Sequence, residues 1–192
     1  MSLTVSAPSV ADEPGGALNF SQLADRLASL TDAPALSEVN EWLAQARITA
    51  DDVGSYRRFR EGAYARNRVL RTDVLEVLVL CWEQGQCTVI HDHNGSFGVV
   101  RVLEGELSET IFVQDEAGVL RRAREAKWQP DAVTGADAPD IHSLYNCQRS
   151  GQKLVTLHVY CPPLHKLNTY KEGSAEVLQI ISGETPQSCD DA

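Results

Sequence analysis

The chain has no apolar run long enough to cross a bilayer as a helix. Its longest, Val77–Trp82, is far short of the roughly 20 residues such a span needs. The start, Met1-Ser-Leu-Thr-Val-Ser-Ala-Pro8, has neither a basic segment nor a long apolar one, so no secretory leader is expected. Positive charge is scarce: 17 Lys and Arg stand against 27 Asp and Glu, a net charge of −10. A polyanion would be repelled at long range, which argues against nucleic acid or an anionic membrane surface as the main partner and favours a small molecule. The five cysteines are odd in number and contain no C-x-x-C pair. Such usage suits free thiols packed as small apolar residues in a reducing compartment, so a cytoplasmic location is expected. There is no internal repeat. At 192 residues with 43% apolar content, one domain with a real core fits and a second catalytic domain does not.

Residues 1–17 are rich in Ser, Ala, Pro and Gly without periodicity and read as a flexible lead-in to a single domain over 18–192. Phe20, Leu23, Leu27 and Leu30 keep to one helical face, as do Val39, Trp42, Leu43 and Ala46 after Ser37, a residue suited to an N-cap. A third short helix is expected from Thr49. Beyond these two or three N-terminal helices the pattern is strand-like: Val74–Trp82, Cys87–His93, Val99–Leu103, Leu107–Val113 and Leu154–Tyr160. Residues 130–141 read as a loop delivering His142. Short strands separated by turn signals predict a mainly β closed barrel or sandwich, whose mouth can hold one compact ligand.

Chemistry concentrates in 85-Gly-Gln-Cys-Thr-Val-Ile-His-Asp-His-93. Side chains alternate along a strand, so His91 and His93 point the same way, and Cys87 is expected to share their face. Two histidines on one face can be structural; with flanking Gly85 and Gly105 they match the cupin pattern G-x5-H-x-H-x(3,4)-E-x6-G, with Gly98 in place of the glutamate. His142-x3-Asn146 matches the end of the second cupin motif, without its usual Pro and Gly. Three imidazoles suit Zn, Cu, Fe or Ni and leave open coordination positions. In 154-Leu-Val-Thr-Leu-His-Val-Tyr-160, Thr156, His158 and Tyr160 share a face, either as a hydrogen-bonded row or as polar residues facing water. Arg66 lies in an Arg-rich stretch, where a solvated surface role is the plain reading.

The stretches Tyr64-Ala-Arg66-Asn67, Leu80-Cys-Trp82, Ile90-His-Asp-His93, Leu103-Glu-Gly-Glu-Leu107-Ser-Glu-Thr110 and Leu157-His-Val-Tyr160-Cys-Pro-Pro163 resemble, in order, the cysteine dioxygenase family of thiol dioxygenases, in the arginine-type form seen in bacteria. The resemblance implies a cupin (double-stranded β-helix, jelly-roll) barrel with mononuclear Fe(II) on His91, His93 and His142. It also implies a Thr156/His158/Tyr160 relay similar to the family's Ser-His-Tyr, with Arg66 on the substrate carboxylate and Tyr64 supporting it. Gly98 stands where animal members carry a cysteine cross-linked to the tyrosine, so no thioether is expected. The implied reaction joins both atoms of O2 to the sulfur of L-cysteine. Members acting on 3-mercaptopropionate typically carry glutamine in place of the arginine, so Arg66 favours cysteine. A non-catalytic metal-binding cupin sensor would account for the histidines alone, and a Zn hydrolase or a Mn or Ni isomerase remains open on imidazoles alone. Oligomeric state and the geometry of the Cys161–Pro162 bond are not legible.

Overall fold

The computed structural model describes residues 17–136, 140–149 and 151–183; the lead-in assigned to 1–17 lies almost wholly outside them. Two helices come first, α1 (Phe20–Ala28) and α2 (Leu36–Gln45). The N-cap of α2 is Ala35 rather than Ser37: Glu38 reaches back to the Ala35 amide at 2.8 Å, so the carboxylate at N3 opens the helix ahead of the serine's side chain. The expected third helix is a single 3-10 turn, Gly54–Tyr56. Its approach is held by Asp52, which accepts from both the amide and the hydroxyl of Thr49, a local alternative to helical hydrogen bonding.

Eleven strands follow among the described residues: β1 (Ala65–Arg71), β2 (Glu76–Trp82), β3 (Ile90–Asp92), β4 (Phe97–Glu104), β5 (Leu107–Gln114), β6 (Leu120–Trp128), β7 (Val133–Ala136), β8 (His142–Tyr145), β9 (Leu154–Cys161), β10 (Lys166–Tyr170) and β11 (Val177–Ile181). They form two antiparallel sheets, ordered β1-β2-β9-β4-β7 and β11-β10-β3-β8-β5-β6. From β2 to β5 and from β6 to β10 the chain passes to the opposite sheet at each step. That winding is a cupin double-stranded β-helix. The segment expected to be a loop before His142 contains β7, which pairs with β4.

The five-stranded sheet has two apolar faces. Val77, Val79, Val99, Val155, Leu157 and Val159 pack under the helices with Leu23, Leu27, Val39 and Leu43. The alternate residues Leu78, Leu80, Trp82, Val100, Val102 and Tyr160 face the barrel interior. Arg101, buried on the helix side, donates to the carbonyls of Leu43 and Ala46 at the end of α2 and to Asp131 at 2.8 Å. It thereby satisfies terminal helix carbonyls and ties α2 to the sheet. Gly105 turns the chain from β4 into β5 with φ +82°, and a Cβ there would lie 2.4 Å from the Lys153 carbonyl oxygen; no other residue fits. The Cys161–Pro162 bond is cis. No helix among the described residues is long and apolar enough to cross a membrane.

Candidate metal centre and its pocket

The structure brings His91, His93 and His142 together, although they leave the backbone differently. His91 lies in β3, His93 just beyond its end, and His142 opens β8, where it pairs directly with His91. The ring centroids stand 4.9–5.2 Å apart, and one ligand nitrogen from each ring lies within 4.8 Å of the others. All three rings are buried.

Hydrogen bonds fix which nitrogen is available on two of them. The Nδ1 of His91 donates to the Val89 carbonyl at 2.9 Å, and the Nδ1 of His142 donates to the Glu109 carboxylate at 2.8 Å. A carbonyl or carboxylate only accepts, so each neutral ring keeps its lone pair on Nε2. The Nε2 of His142 is buried without a partner among the described residues, an orphan that a metal ion would satisfy. Burial, then the neighbouring His142, pushes the pKa of His91 down to about 3 and that of His93 well below its ordinary value. These are uncharged donors, as a cation requires. For His142 burial opposes the charge, but the Glu109 hydrogen bond and Asp140 outweigh it and raise the pKa of the metal-free ring. Glu109 also accepts from the Trp128 indole at 2.8 Å, so a Trp128–Glu109–His142 chain orients the third ring. Such carboxylate–histidine pairs set ring orientation and basicity in metal sites. The three rings, with this support, fit a resident metal.

Cys87 does not share their face. It lines a different cavity, of about 390 Å³, with Thr110, Phe112 and Tyr145; Thr88 borders both that cavity and the pocket beside the metal group, which His91 lines and Cys87 does not. The chain is irregular between the isolated bridge at Cys87 and the start of β3, which breaks the parity that a regular strand would keep. The expectation of free thiols packed as small apolar residues holds for Cys81 and Cys161, which are buried, whereas Cys147 is free but exposed. Cys87 is disulfide-bonded, a departure that spacing alone does not encode because bridging depends on tertiary proximity.

The polar row of β9 faces the interior, not water: Thr156 and His158 are fully buried and Tyr160 nearly so. The Trp82 indole donates to Thr156 Oγ1 at 3.0 Å, Thr156 Oγ1 lies 2.8 Å from His158 Nε2, and His158 Nδ1 lies 2.9 Å from the Tyr160 hydroxyl. An indole N–H can only donate, so the Thr156 hydroxyl accepts there and passes its own proton to Nε2. Burial, then Arg66, keeps His158 neutral. Its proton is therefore on Nδ1 and is donated to the Tyr160 oxygen, leaving the phenolic proton free for the pocket. Burial pushes the Tyr160 pKa up, so that proton stays in place.

Arg66, on β1, is half-buried on the same pocket, with Tyr64, His91, His158, Tyr160 and Leu164 around it. Burial works against its charge, Tyr64, Tyr160 and Glu76 favour it, and a guanidinium stays protonated throughout the physiological range. Its Nη2 donates to Ser182 Oγ at 3.2 Å. Among the described residues none of the ion pairs includes it. Tyr64 stacks on Trp82, centroids 4.2 Å apart, so one indole braces both the arginine's neighbour and the β9 row. No spacing or periodicity in the sequence marks Trp82, Glu109, Trp128 or Ser182 as part of the site. The first two lie inside recognisable stretches, but their partners are set by strand register.

Gly98 faces this centre from β4. A Cβ there would meet His93 Cε1 at 3.0 Å and Tyr160 Cε1 at 3.1 Å. Gly98→Ala should therefore displace both rings and destabilise the protein by about 1–3 kcal/mol, as overpacked cores do; urea denaturation measures it, and an unchanged midpoint would show that the rings give way freely.

The model of the family "Cysteine dioxygenase type I" matches residues 16–173, a span that carries the three histidines, Tyr64, Arg66 and the β9 row. The chain belongs to the cysteine dioxygenase type I family. Cysteine dioxygenase type 1 from Homo sapiens is 26% identical to it over 159 residues, covering 78% of this chain and 79% of that one. The Danio rerio enzyme is 24% identical over 147 residues, covering 74% and 73%. Among solved structures, the TT1209 protein of Thermus thermophilus matches with a TM-score of 0.48 and 22% identity over 58% of this chain and 94% of that one. A double-stranded β-helix protein from Klebsiella pneumoniae matches at 0.46 and 20%, over 66% and 92%. As a cysteine dioxygenase family member the protein is an oxygenase-type enzyme of the thiol dioxygenase class, and its three-histidine group can hold the metal such enzymes use.

Proposed function

We propose that the protein oxidises L-cysteine with O2 to cysteine sulfinic acid, with Fe(II) on His91, His93 and His142. The observation that carries this reading is the Arg66 guanidinium beside the metal group, which makes no close ion pair among the described residues and feels the Glu76 carboxylate only at longer range. The carboxylate of an amino acid supplies a close anion and can meet the guanidinium with two parallel hydrogen bonds. Fe(II), when bound, supplies positive charge that favours the thiolate and open positions where sulfur, amine and O2 can meet. Gly98 contributes by offering no anionic side chain to occupy one of those positions. Both oxygen atoms end on sulfur, so the reaction balances without an external reductant.

The remaining work is positioning. Tyr64 and Arg66 fix the carboxylate end of the substrate, and Tyr160 turns its free O–H toward the sulfur or the carboxylate. Thr156 and His158 hold the phenol in that rotamer from behind, and threonine's branched Cβ makes the first link stiff. Trp82→Phe keeps an aromatic ring against Tyr64 but removes the donor to Thr156, so the hydroxyl can reverse and the chain of tautomers loses its direction. Loss of one such hydrogen bond, roughly 1–1.5 kcal/mol, should lower kcat about tenfold with KM changed less than threefold; a rise in KM alone would place the indole's effect on substrate binding instead.

The deciding experiment is O2 uptake with product identification on Fe(II)-loaded protein, comparing L-cysteine with 3-mercaptopropionate. One O2 consumed per cysteine sulfinate formed supports the proposal. A tenfold preference for 3-mercaptopropionate would overturn the substrate, and affinity for thiols without turnover would make the protein a sensor.

A further inference from the structure

A second cavity, of about 500 Å³, lies outside the metal pocket and shares Tyr64, Arg66 and Leu164 with it. In a chain of net charge −10 this cavity is basic: Arg60, Arg66, Arg68 and Arg71 line it, and among the described residues Glu76 is the one carboxylate in its wall. We infer that it is a second anion-binding subsite, which takes small oxyanions and receives the carboxylate of an incoming thiol before that group reaches Arg66. This rests on the proposed function for the identity of the thiol, but not for the binding of the anion.

The strand is built to produce it. Arg66 and Arg68 share one face of β1 by alternation, and Arg71 would fall on the other. The register shifts between Arg68 and Leu70, a bulge of the kind that re-aims a side chain, and Arg71 joins the same cavity. Glu76 is held by both neighbours, at 3.1 Å from Arg68 Nε and 2.9 Å from Arg71 Nη1. One carboxylate shared by two guanidiniums leaves one of them in surplus, and Arg60 and Arg66, which form no ion pair among the described residues, add two more positive charges. When a substrate carboxylate occupies Arg66, the cavity is still cationic.

Arg71 is also anchored where the two cavities meet. Its Nη1 donates to the Leu164 carbonyl at 3.3 Å, and its Nη2 lies 3.2 Å from the His165 ring. The far wall comes from Ser182 and Gly183 at the end of β11, beyond residue 173 where the family match stops. There the Ser182 amide donates to the His165 carbonyl at 2.9 Å, and its hydroxyl accepts from Arg66. The C-terminal strand thus completes a cavity that the matched part of the chain leaves open.

A concentration of cations in a partly enclosed space raises the local concentration of anions, and salt screens the effect over about 10 Å at 0.1 M. Zwitterionic cysteine and anionic 3-mercaptopropionate should therefore differ. The test uses metal-free protein and inorganic sulfate, titrated calorimetrically at low salt. Native protein should bind one sulfate, the Arg60→Gln/Arg68→Gln double variant should bind it at least about fivefold more weakly, and Arg60→Lys/Arg68→Lys should retain binding. Both arginines are exposed and neither contacts the metal group, but Arg68 shares the buried Glu76 with Arg71, so urea denaturation of each variant accompanies the titration, and the lysine variant, which keeps the charge, separates loss of the anion site from loss of the fold. No sulfate binding by the native protein, or equal binding by the glutamine variant, would overturn the inference. A kinetic arm uses the iron-loaded protein: kcat/KM for 3-mercaptopropionate should fall about three- to tenfold between roughly 20 and 300 mM salt, more steeply than for cysteine. That slope should flatten in the glutamine variant while kcat holds. Equal slopes for the two thiols would overturn the transit role. Absence of thiol oxidation altogether would sink the proposed function and leave the sulfate result to stand on its own.

Discussion

His91→Ala is expected to leave the protein without bound iron or thiol oxidation while changing the stability of the metal-free fold little, whereas His142→Ala should damage both. The difference lies behind the rings. Among the described residues the His91 ring is held by one hydrogen bond, to the Val89 carbonyl, so its removal strands one backbone acceptor. His142 is the partner of Glu109, a buried carboxylate whose other hydrogen bond comes from Trp128. Burial works against the charge of Glu109, and the hydrogen bonds from His142 and Trp128 hold its carboxyl below the ordinary value. Removing the imidazole leaves that carboxylate half-satisfied, which costs about 1–3 kcal/mol. Loss of an outer partner of a metal ligand weakens binding roughly 10–100-fold, so loss of a ligand itself should exceed that in either variant, and Glu109→Gln should fall between them and the native protein. Iron content after reconstitution and urea denaturation of the metal-free proteins read the two effects separately. Full iron occupancy in His91→Ala would remove that ring from the ligand set, and equal stability of the two alanine variants would show that Glu109 finds a replacement partner.

The sequence was legible where burial imposes a pattern. The periodicity of Leu23 with Leu27 and of Val39 with Leu43 marks both helices, and those residues are the ones the helices bury. The five anticipated strands became β2, β3, β4, β5 and β9, all of them internal to their sheets. The four edges, β1, β7, β6 and β11, passed unread, as did the short internal strands β8 and β10. An edge strand pairs on one side only and tolerates charge, which natural sheets exploit to prevent further pairing. β6, Leu-Arg-Arg-Ala-Arg-Glu-Ala-Lys-Trp, is mostly exposed and has no apolar alternation to detect. The same limit applies at the metal group. His91 and His93 announce themselves by spacing, but the contact of Glu109 with His142 depends on the register of β5 against β8, in which Ile111 stands opposite His142. The β9 row was legible as a row and ambiguous in direction; only the packing of its alternate face under the helices turns it inward.

Arg66→Ala should reduce kcat/KM for L-cysteine by about a hundredfold, mostly through KM. In the native protein the always-charged guanidinium stands beside Tyr64 and Tyr160, and on the proposed reading the substrate carboxylate completes the pair. Without the guanidinium a carboxylate entering this pocket loses its water and gains no counter-charge. Removing one partner of a well-desolvated pair costs roughly 3–5 kcal/mol, and the lower end applies to a half-buried arginine; at about 1.4 kcal/mol per tenfold, roughly 3 kcal/mol is about a hundredfold. The iron should remain, because Arg66 touches none of the three rings through a hydrogen bond. Arg66→Lys separates charge from shape: it keeps the cation but cannot present two parallel donors, so it should recover part of the loss and not all of it. Cysteamine, which lacks the carboxylate, should be turned over as poorly by native protein as by the alanine variant. If both variants oxidise cysteine with native constants, Arg66 does not grip the substrate and the carboxylate must be bound elsewhere, with the arginines of the outer cavity next to be tested. If the alanine variant loses its iron as well, the arginine acts on the metal group and the assignment of the carboxylate end to Arg66 fails.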